Sequence, residues 1–364
     1  MTLTAAHLGH NRLLADAIAR TTHEMVVAPS ARTAGVAVFL VIGSEDLASL
    51  RSELHRLAVR CGAPLTARPS WALATVEHDN SALPWAVVAR AGDGSAVGAL
   101  LLVDRAQDPR TTVTTLAGTD GGHRAAILAT DPAVAGLLGL ALSAVRAQSR
   151  GSAPVVLGPL PADSAVVEAF AGSLAGAWWS PADVVPVIRP SVGEFLTAGT
   201  ARTLRKSANR LAADGLSSAV HMTSDSARVL AMVPLLIEVH RERDHANGRV
   251  SELDDKVQHQ IWRSRIELLA DAGLLELATL RIDGVLAAYT FGVVDGSTYR
   301  LLEGRFVGEF ARYAPGRLLE AAVVERALST PGVTTFDWMT AVAPESLLGS
   351  NDADAMVTLH VGRR

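Results

Sequence analysis

The apolar positions of this chain fall in short runs of strand length, separated by longer stretches with helical spacing. Val36 to Val41 (VAVFLV) is apolar on both faces and reads as a strand. Gly43-Ser44-Glu45-Asp46 then turns into a helix, with Ser44 as the expected N-cap and two acids in the first turn. That helix runs to about Arg60 and stops at Gly62 and Pro64. Trp85 to Arg90, Gly92-Asp93-Gly94 and Val97 to Val103 read as a hairpin, so this glycine cluster is a turn and not a phosphate loop. Thr112 to Leu116 is a further strand. An apolar helix starts at Pro132, Val155 to Leu157 is a strand, Pro159 and Pro161 mark a loop, and Ser164 to Ala175 is helical. Val184 to Ile188 reads as an edge strand, because Pro186 has no N–H to give a ladder.

After Arg189-Pro190 the pattern restarts. A basic amphipathic helix spans Ala201 to Ala213 and is capped by Gly215. Ser217 to Met222 is a strand, and two helices follow, Ser226 to His240 and Asp255 to Ala272. Leu275 to Arg281, Asp283-Gly284 and Val285 to Val293 form a second hairpin. Tyr299 to Phe306 is a strand, Pro315 to Leu328 a helix, and Thr334 to Met339 and Met356 to Val361 are strands. Both halves therefore read as α/β units in which hairpins precede a helical crossover, with domains expected at 1–190 and 191–364. The likeness between halves is one of element order, since no residue-level repeat is visible.

Composition narrows the class. The chain has 364 residues, 49% hydrophobic, with a net charge of −4, which excludes disorder and supports two packed domains. One cysteine, Cys61, excludes a disulfide framework and a cysteine-based metal site. No signal peptide is visible from Met1 to Arg20, and the apolar run from Ala133 to Val145 is shorter than the roughly 20 residues of a membrane span. A cytoplasmic setting and no membrane partner are the expectation. Mild acidity argues against bulk nucleic-acid binding without excluding a local basic patch.

The chemistry gathers in the second half. Arg312-Tyr313-Ala314-Pro315-Gly316-Arg317-Leu318-Leu319 delivers a strand to a loop that opens a helix. Pro315 suits the first helical turn, and Gly316 removes a side chain where a ligand could approach. The open N–H groups and dipole of that terminus attract a phosphate, and Arg312 and Arg317 could add charge-assisted contacts. Glu303 sits mid-strand among apolar residues and needs a partner or a cleft. It could accept a proton from an attacking amine, or pair with Arg305 two residues on. Asp337 at a strand end could orient an amine or cap a loop. His240, Arg241, Arg243, Asp244 and His245 cluster at a helix end. A metal is not expected there, because residues five apart on a helix diverge and no third ligand is evident. Arg202, Arg205, Lys206 and Arg210 lie at near-helical spacing on a basic face.

These segments together resemble the GNAT acyltransferase superfamily. The likeness is nearest to the subgroup with two tandem GNAT-like domains, which contains the cellulose-biosynthesis-associated acetyltransferases and borders the Fem-like aminoacyltransferases. It is carried by Leu204-Arg205-Lys206 with Asn209-Arg210-Leu211 and Gly215, by LIEVHR at 236–241, by LRIDGVLAA at 280–288, and above all by the 312–319 segment, which is like R-Y-S-P-G-x-L-L. It differs from the R/Q-x-x-G-x-G/A loop of typical GNAT enzymes in spacing and in having Leu318 at the last position.

The resemblance implies two tandem GNAT-like domains, each a mixed, mostly antiparallel sheet flanked by helices. The first would be degenerate and face the acceptor, and the second would hold the donor. It implies Glu303, Asp337 and Tyr313 as catalytic residues, with Tyr299 the other tyrosine that could protonate a leaving thiolate. The donor would be held by Arg312, Pro315, Gly316, Arg317, Arg205 and Lys206. The acceptor would meet His240, Arg241, Asp244, Trp338 and Asp120, the last in the polar loop Gly118 to Arg124. The implied reaction moves an acyl group from acyl-coenzyme A to the amine of a small molecule by direct attack, with no tightly bound cofactor. A Fem-like transfer from aminoacyl-tRNA is the alternative, and a non-catalytic GNAT-like binding module is the second alternative. The acidic balance favours the thioester, and the altered loop favours tRNA.

Overall fold

The computed structural model describes residues 35–79, 81–108, 111–119, 123–148, 153–339 and 347–362. Two compact units are present, one ending at Asp183 and taking back the chain from Ala355, the other Val184–Asp354.

The first unit is a sheet between two helical layers. Its strands are β1 (Ala37–Ile42), β2 (Ala82–Arg90), β3 (Ala96–Asp108), β4 (Thr111–Leu116), β5 (Leu128–Ala129), β6 (Val155–Pro161), β7 (Ala177–Pro181) and the C-terminal Met356–Val361. Helices α1 (Ser44–Arg60) and α2 (Pro69–Glu77) pack on one face, α3 (Pro132–Gln148) and α4 (Ala165–Gly172) on the other. Strand periodicity makes both faces apolar: Trp85, Val87 and Ala89 enter the α3 core, while Ala86 and Val88 enter the α1 core. Gly139 lets α4 approach α3, since a Cβ there would lie 2.6 Å from the Phe170 carbonyl.

The second unit uses β8 (Val185–Ile188), α5 (Ala198–Ala213), β9 (Ser218–Thr223), α6 (Ser226–Ala246), α7 (Lys256–Asp271), β10 (Leu275–Ile282), β11 (Val285–Asp295), β12 (Thr298–Phe306), α8 (Pro315–Leu328), β13 (Thr335–Asp337) and β14 (Asp352–Asp354). Its sheet order is β14-β8-β13-β12-β11-β10-β9, all neighbours antiparallel except β12 and β13. Helices α6 and α7 cover one face, and α8 with α5 beside it covers the other. The hairpin β10–β11 turns at Asp283 and Gly284, φ 48° and 82°, as a two-residue turn requires.

Several expectations are revised. The expected boundary at 190/191 does not match the pairing: Val185–Ile188 bonds to β13 and β14, while Met356–Val361, now β15, inserts between β6 and β7. Val184 to Ile188 is therefore not an edge strand. Pro186 is tolerated there because its carbonyl still accepts the Trp338 N–H at 3.3 Å. Pro159 and Pro161 lie inside β6 and not in a loop. Ser44 is the first helical residue and Gly43, φ 91°, is the N-cap, with no side-chain cap bond. Helix α2 carried no clear periodic signal in the sequence. The N-terminal segment Met1 to Arg20 and Asp120 lie outside the described residues.

Candidate active site

The site begins with an irregularity in β12. Phe291 pairs with Glu303 and Gly292 with Leu301, so Leu302 is an extra residue, a β-bulge. Before the bulge, Tyr299 and Leu301 pack with Leu319 and Val323 of α8. After it, Glu303 and Arg305 turn to the face of α6 and α7. Among the described residues β12 meets β13 only over Thr298 to Arg300 and continues to Phe306 past that pairing, with Glu303 three residues beyond it.

Glu303 is held by three neighbours. Trp262 Nε1 of α7 donates to Oε2 at 2.8 Å. The Tyr289 hydroxyl of β11 donates to Oε1 at 3.0 Å. His240 Nδ1 of α6 faces Oε1 at 3.6 Å, longer than a formed hydrogen bond. Burial pushes the Glu303 carboxyl up, but the facing imidazole, the Arg305 guanidinium and the Trp262 N–H outweigh it and hold it down at about 2. Burial and the Glu303 charge push the Tyr289 phenol well up, so it stays a donor. The carboxylate is thus fixed by two formed hydrogen bonds, and the side chain keeps 15% exposure.

The chain of polar contacts continues inward. An Arg305 guanidinium nitrogen lies 2.9 Å from His240 Nε2. Arg305 Nε is 3.6 Å and His240 Nε2 is 3.2 Å from Asp244. Asp244 also accepts from Arg249 at 3.2 Å and from the Ser251 hydroxyl at 3.1 Å. The expected direct Glu303–Arg305 pair is thus replaced by an arrangement with His240 between them.

On the donor side, a 3-10 turn over Gly308–Tyr313 leads to Ala314 in the left-handed region (φ 49°, ψ 53°), and α8 opens at Pro315 with no side-chain cap. Such a backbone costs roughly 1–2 kcal/mol for a non-glycine residue and persists only where the surroundings impose it. A Cβ at Gly316 would meet only Phe306, at 3.4 Å, so packing alone does not demand glycine there. The first-turn N–H groups of α8 suit an anion.

The other expected residues are placed as follows. Arg312 pairs with Asp214 at the end of α5 and lies over the Tyr313 ring at 4.6 Å. The Tyr313 hydroxyl donates to Asp214 at 2.7 Å, so it anchors the 3-10 turn to α5 and is spoken for. Tyr299 donates to Glu276 at 2.9 Å, and burial with the Glu276 charge pushes its phenol up. Asp337 is fully buried, pairs with Arg300 and accepts the Met339 N–H at 2.8 Å, capping that turn. Trp338 is 3% exposed, packed on Phe336 in the core, and does not line an open site. Arg241 and His245 both clamp Asp254, on the outside of α6. Arg243 lies over Phe306 at 4.0 Å. His240 points inward and His245 outward, and the described residues contain no metal-ligand cluster. Arg205 and Lys206 are exposed on α5. Glu320 of α8 has an Oε2 that is buried without a partner among the described residues, and burial pushes its carboxyl up to about 7.

Sequence reasoning found Glu303 and His240 but not Trp262 and Tyr289. The signals available were one tryptophan on the inward arc of α7 with Ile261, Ile266 and Leu269, and one tyrosine inside an apolar strand.

Comparison with known proteins bears on the fold. Residues 198–345 match the family model of the acetyltransferase (GNAT) domain. Among curated proteins none matches the chain. FemX shares 11% identity with a TM-score of 0.58, covering 85% of this chain and 95% of that one. A C-terminal domain described as that of a lysylphosphatidylglycerol synthetase, from Agrobacterium fabrum, shares 14% identity with a TM-score of 0.54, covering 87% and 93%. A conserved protein from Bacteroides thetaiotaomicron shares 11% with a TM-score of 0.51, covering 88% and 97%. At such identities the likeness is one of fold, and it spans both units.

Proposed function

We propose that this chain, a GNAT-superfamily acyltransferase whose second unit carries the GNAT domain, moves an acyl group from acyl-coenzyme A to a primary amine by direct attack. The observation that carries the reading is Glu303: a partly exposed side chain whose carboxylate accepts from Trp262 and Tyr289, on the stretch of β12 past its pairing with β13. The coenzyme's pyrophosphate would meet the N-terminus of α8 at Gly316 and Arg317. Past Arg300, the edge of β12 beside β13 has no strand partner among the described residues and would offer a backbone N–H to polarise the thioester carbonyl. Glu303 accepts a hydrogen bond from an N–H of the amine, and as the C–N bond forms that proton passes to water beside Glu303, which can return one to the leaving thiolate. The C–S bond then breaks, the thiolate takes up a proton, and amide and free thiol result. Most of the acceleration would come from positioning and fixed charge.

Titration calorimetry with coenzyme A tests the donor. Absence of binding at millimolar concentration rules out the thioester. Glu303→Gln should keep that binding and lose turnover, and unchanged turnover would remove Glu303 from the mechanism.

A second reading rests on α5. Arg202, Arg205 and Lys206 are exposed and carry no ion pair among the described residues, whereas Arg312 is taken by Asp214. An exposed basic helix beside the donor turn suits the phosphates of an aminoacyl-tRNA acceptor stem. Acceptor-dependent release of amino acid from charged tRNA, lost in a triple Arg202, Arg205 and Lys206 to Ala variant, would establish it.

A further inference from the structure

We infer that His240 is a positioning residue that presents its Nδ1–H to Glu303 and so keeps that carboxylate ionised and aimed for the amine. The inference rests on the reading of Glu303 as the group that meets the amine.

The ring has no solvent access, so it does not touch substrate. Its proton is placed by its neighbours. Arg305 has only N–H groups to offer, and one lies 2.9 Å from Nε2. Nε2 therefore presents its lone pair, and the ring proton sits on Nδ1, which faces Glu303 Oε1 at 3.6 Å. Asp244 Oδ2 also lies near Nε2, at 3.2 Å, but the donor-only Arg305 nitrogen is closer, at 2.9 Å, so the shorter contact sets the lone pair on Nε2. Without the ring, Glu303 would keep two neutral donors and lose the dipole that fills its third side. A buried carboxylate with fewer donors binds a proton more readily.

Asp244 extends the arrangement to the segment between α6 and α7. It accepts from Arg249 and Ser251 there, and its other neighbours are Arg305 and His240. The charged and titratable groups around His240 and Glu303 are thus Asp244 and Glu252, Arg305 and Arg249, and Tyr289. The order of the segment Asn247 to Asp254 and the orientation of Glu303 are set by one connected set of contacts.

The test uses the full-length protein. Two-bond nitrogen spectra of 15N-histidine protein, with His240 assigned by substitution, should show Nδ1 protonated, and an unprotonated Nδ1 overturns the inference. The indole signal of Trp262, one of six tryptophans and assigned with Trp262→Phe, reports on Glu303. It should not move between pH 8 and 5 in the native sequence. In His240→Leu it should titrate within that window. In His240→Asn, whose amide N–H takes the place of Nδ1–H, it should be still again. A folded His240→Leu protein with a pH-independent Trp262 signal also overturns the inference. With acyl donor and amine, His240→Leu should lower kcat at least tenfold at unchanged KM for the donor, and His240→Asn should recover most of it. If Glu303→Gln keeps full turnover while the spectra behave as stated, the proposed function fails and the electrostatic role of His240 stands.

Discussion

Replacing Glu320 by Gln should stabilise the second unit at pH 8 and change it little at pH 5. Glu320 lies on α8 in the middle of the arc formed by Gly316, Val323, Val324 and Ala327, the last three essentially inaccessible. It therefore points at the sheet, and its Oε2 has neither solvent nor a hydrogen-bond partner among the described residues. Burial pushes its carboxyl up from 4.5 to about 7, with Arg317, one turn earlier, pulling the other way. The folded state therefore binds a proton more tightly than the unfolded chain. The cost of ionising Glu320 is absent below pH 4.5, grows as pH rises, and is complete above pH 7. A difference of 7 − 4.5, or 2.5 pH units, corresponds to a penalty of about 3 kcal/mol at pH 8 and under about 1 kcal/mol at pH 5. Glutamine keeps the volume and cannot ionise, so the variant escapes the penalty. Urea unfolding followed by tryptophan fluorescence at both pH values measures it. The variant should gain up to about 3 kcal/mol at pH 8, seen as a higher urea midpoint. An equal difference at both pH values, or a loss at pH 8, would refute the reasoning.

Further expectations follow from packing and pairing. Asp244→Asn removes the carboxylate nearest Arg305 and weakens its bonds to Arg249 and Ser251, and should cost about 1–3 kcal/mol in thermal or urea unfolding. Gly292→Ala puts a Cβ 2.1 Å from the Tyr299 hydroxyl and should cost about 1–3 kcal/mol, with Tyr299 displaced from Glu276. Ala314→Gly relieves a left-handed backbone at φ 49° and should raise stability by up to about 1 kcal/mol in the same assay, the loss of chain entropy offsetting part of the gain. Deleting the chain from Ala355 removes β15, the partner of β7 and of one side of β6. Hydrogen exchange should then rise throughout β6 and β7, and unchanged protection there would show that the sheet does not depend on β15.

Much of the local structure was legible because it is governed by neighbours in sequence. The hairpins at Gly92–Gly94 and Asp283-Gly284 and the helix opening at Pro315-Gly316 carry their own turn chemistry. Helix α8 was expected at Pro315 to Leu328 and is found there. Helix α2 was missed because it is buried nearly all round, with Trp71, Ala72, Leu73 and Ala74 inaccessible, so no polar face marks a period. At the site, charge in an apolar strand drew attention both to Glu303, which the structure sets against Trp262 and Tyr289, and to Asp337, which pairs with Arg300. Tyr313 and Arg312 looked like ligand contacts because their distant partner, Asp214, is invisible to local pattern.

The amino-acid sequence by itself determined most of the order of elements, the α/β design in two halves and the helix terminus that suits an anion. These follow from periodicity, turn residues and the dipole of a helix start, all short-range effects. Only the tertiary structure decided which face Glu303 takes. Counted along β12 by strand alternation, 299, 301, 303 and 305 share one side, and Glu303 would join Tyr299 and Leu301 against α8. The bulge at Leu302 breaks that parity and turns Glu303 toward Trp262 and His240. Such a bulge arises from how β12 pairs with β11, a contact between strands, and so does the return of β15 to the first sheet.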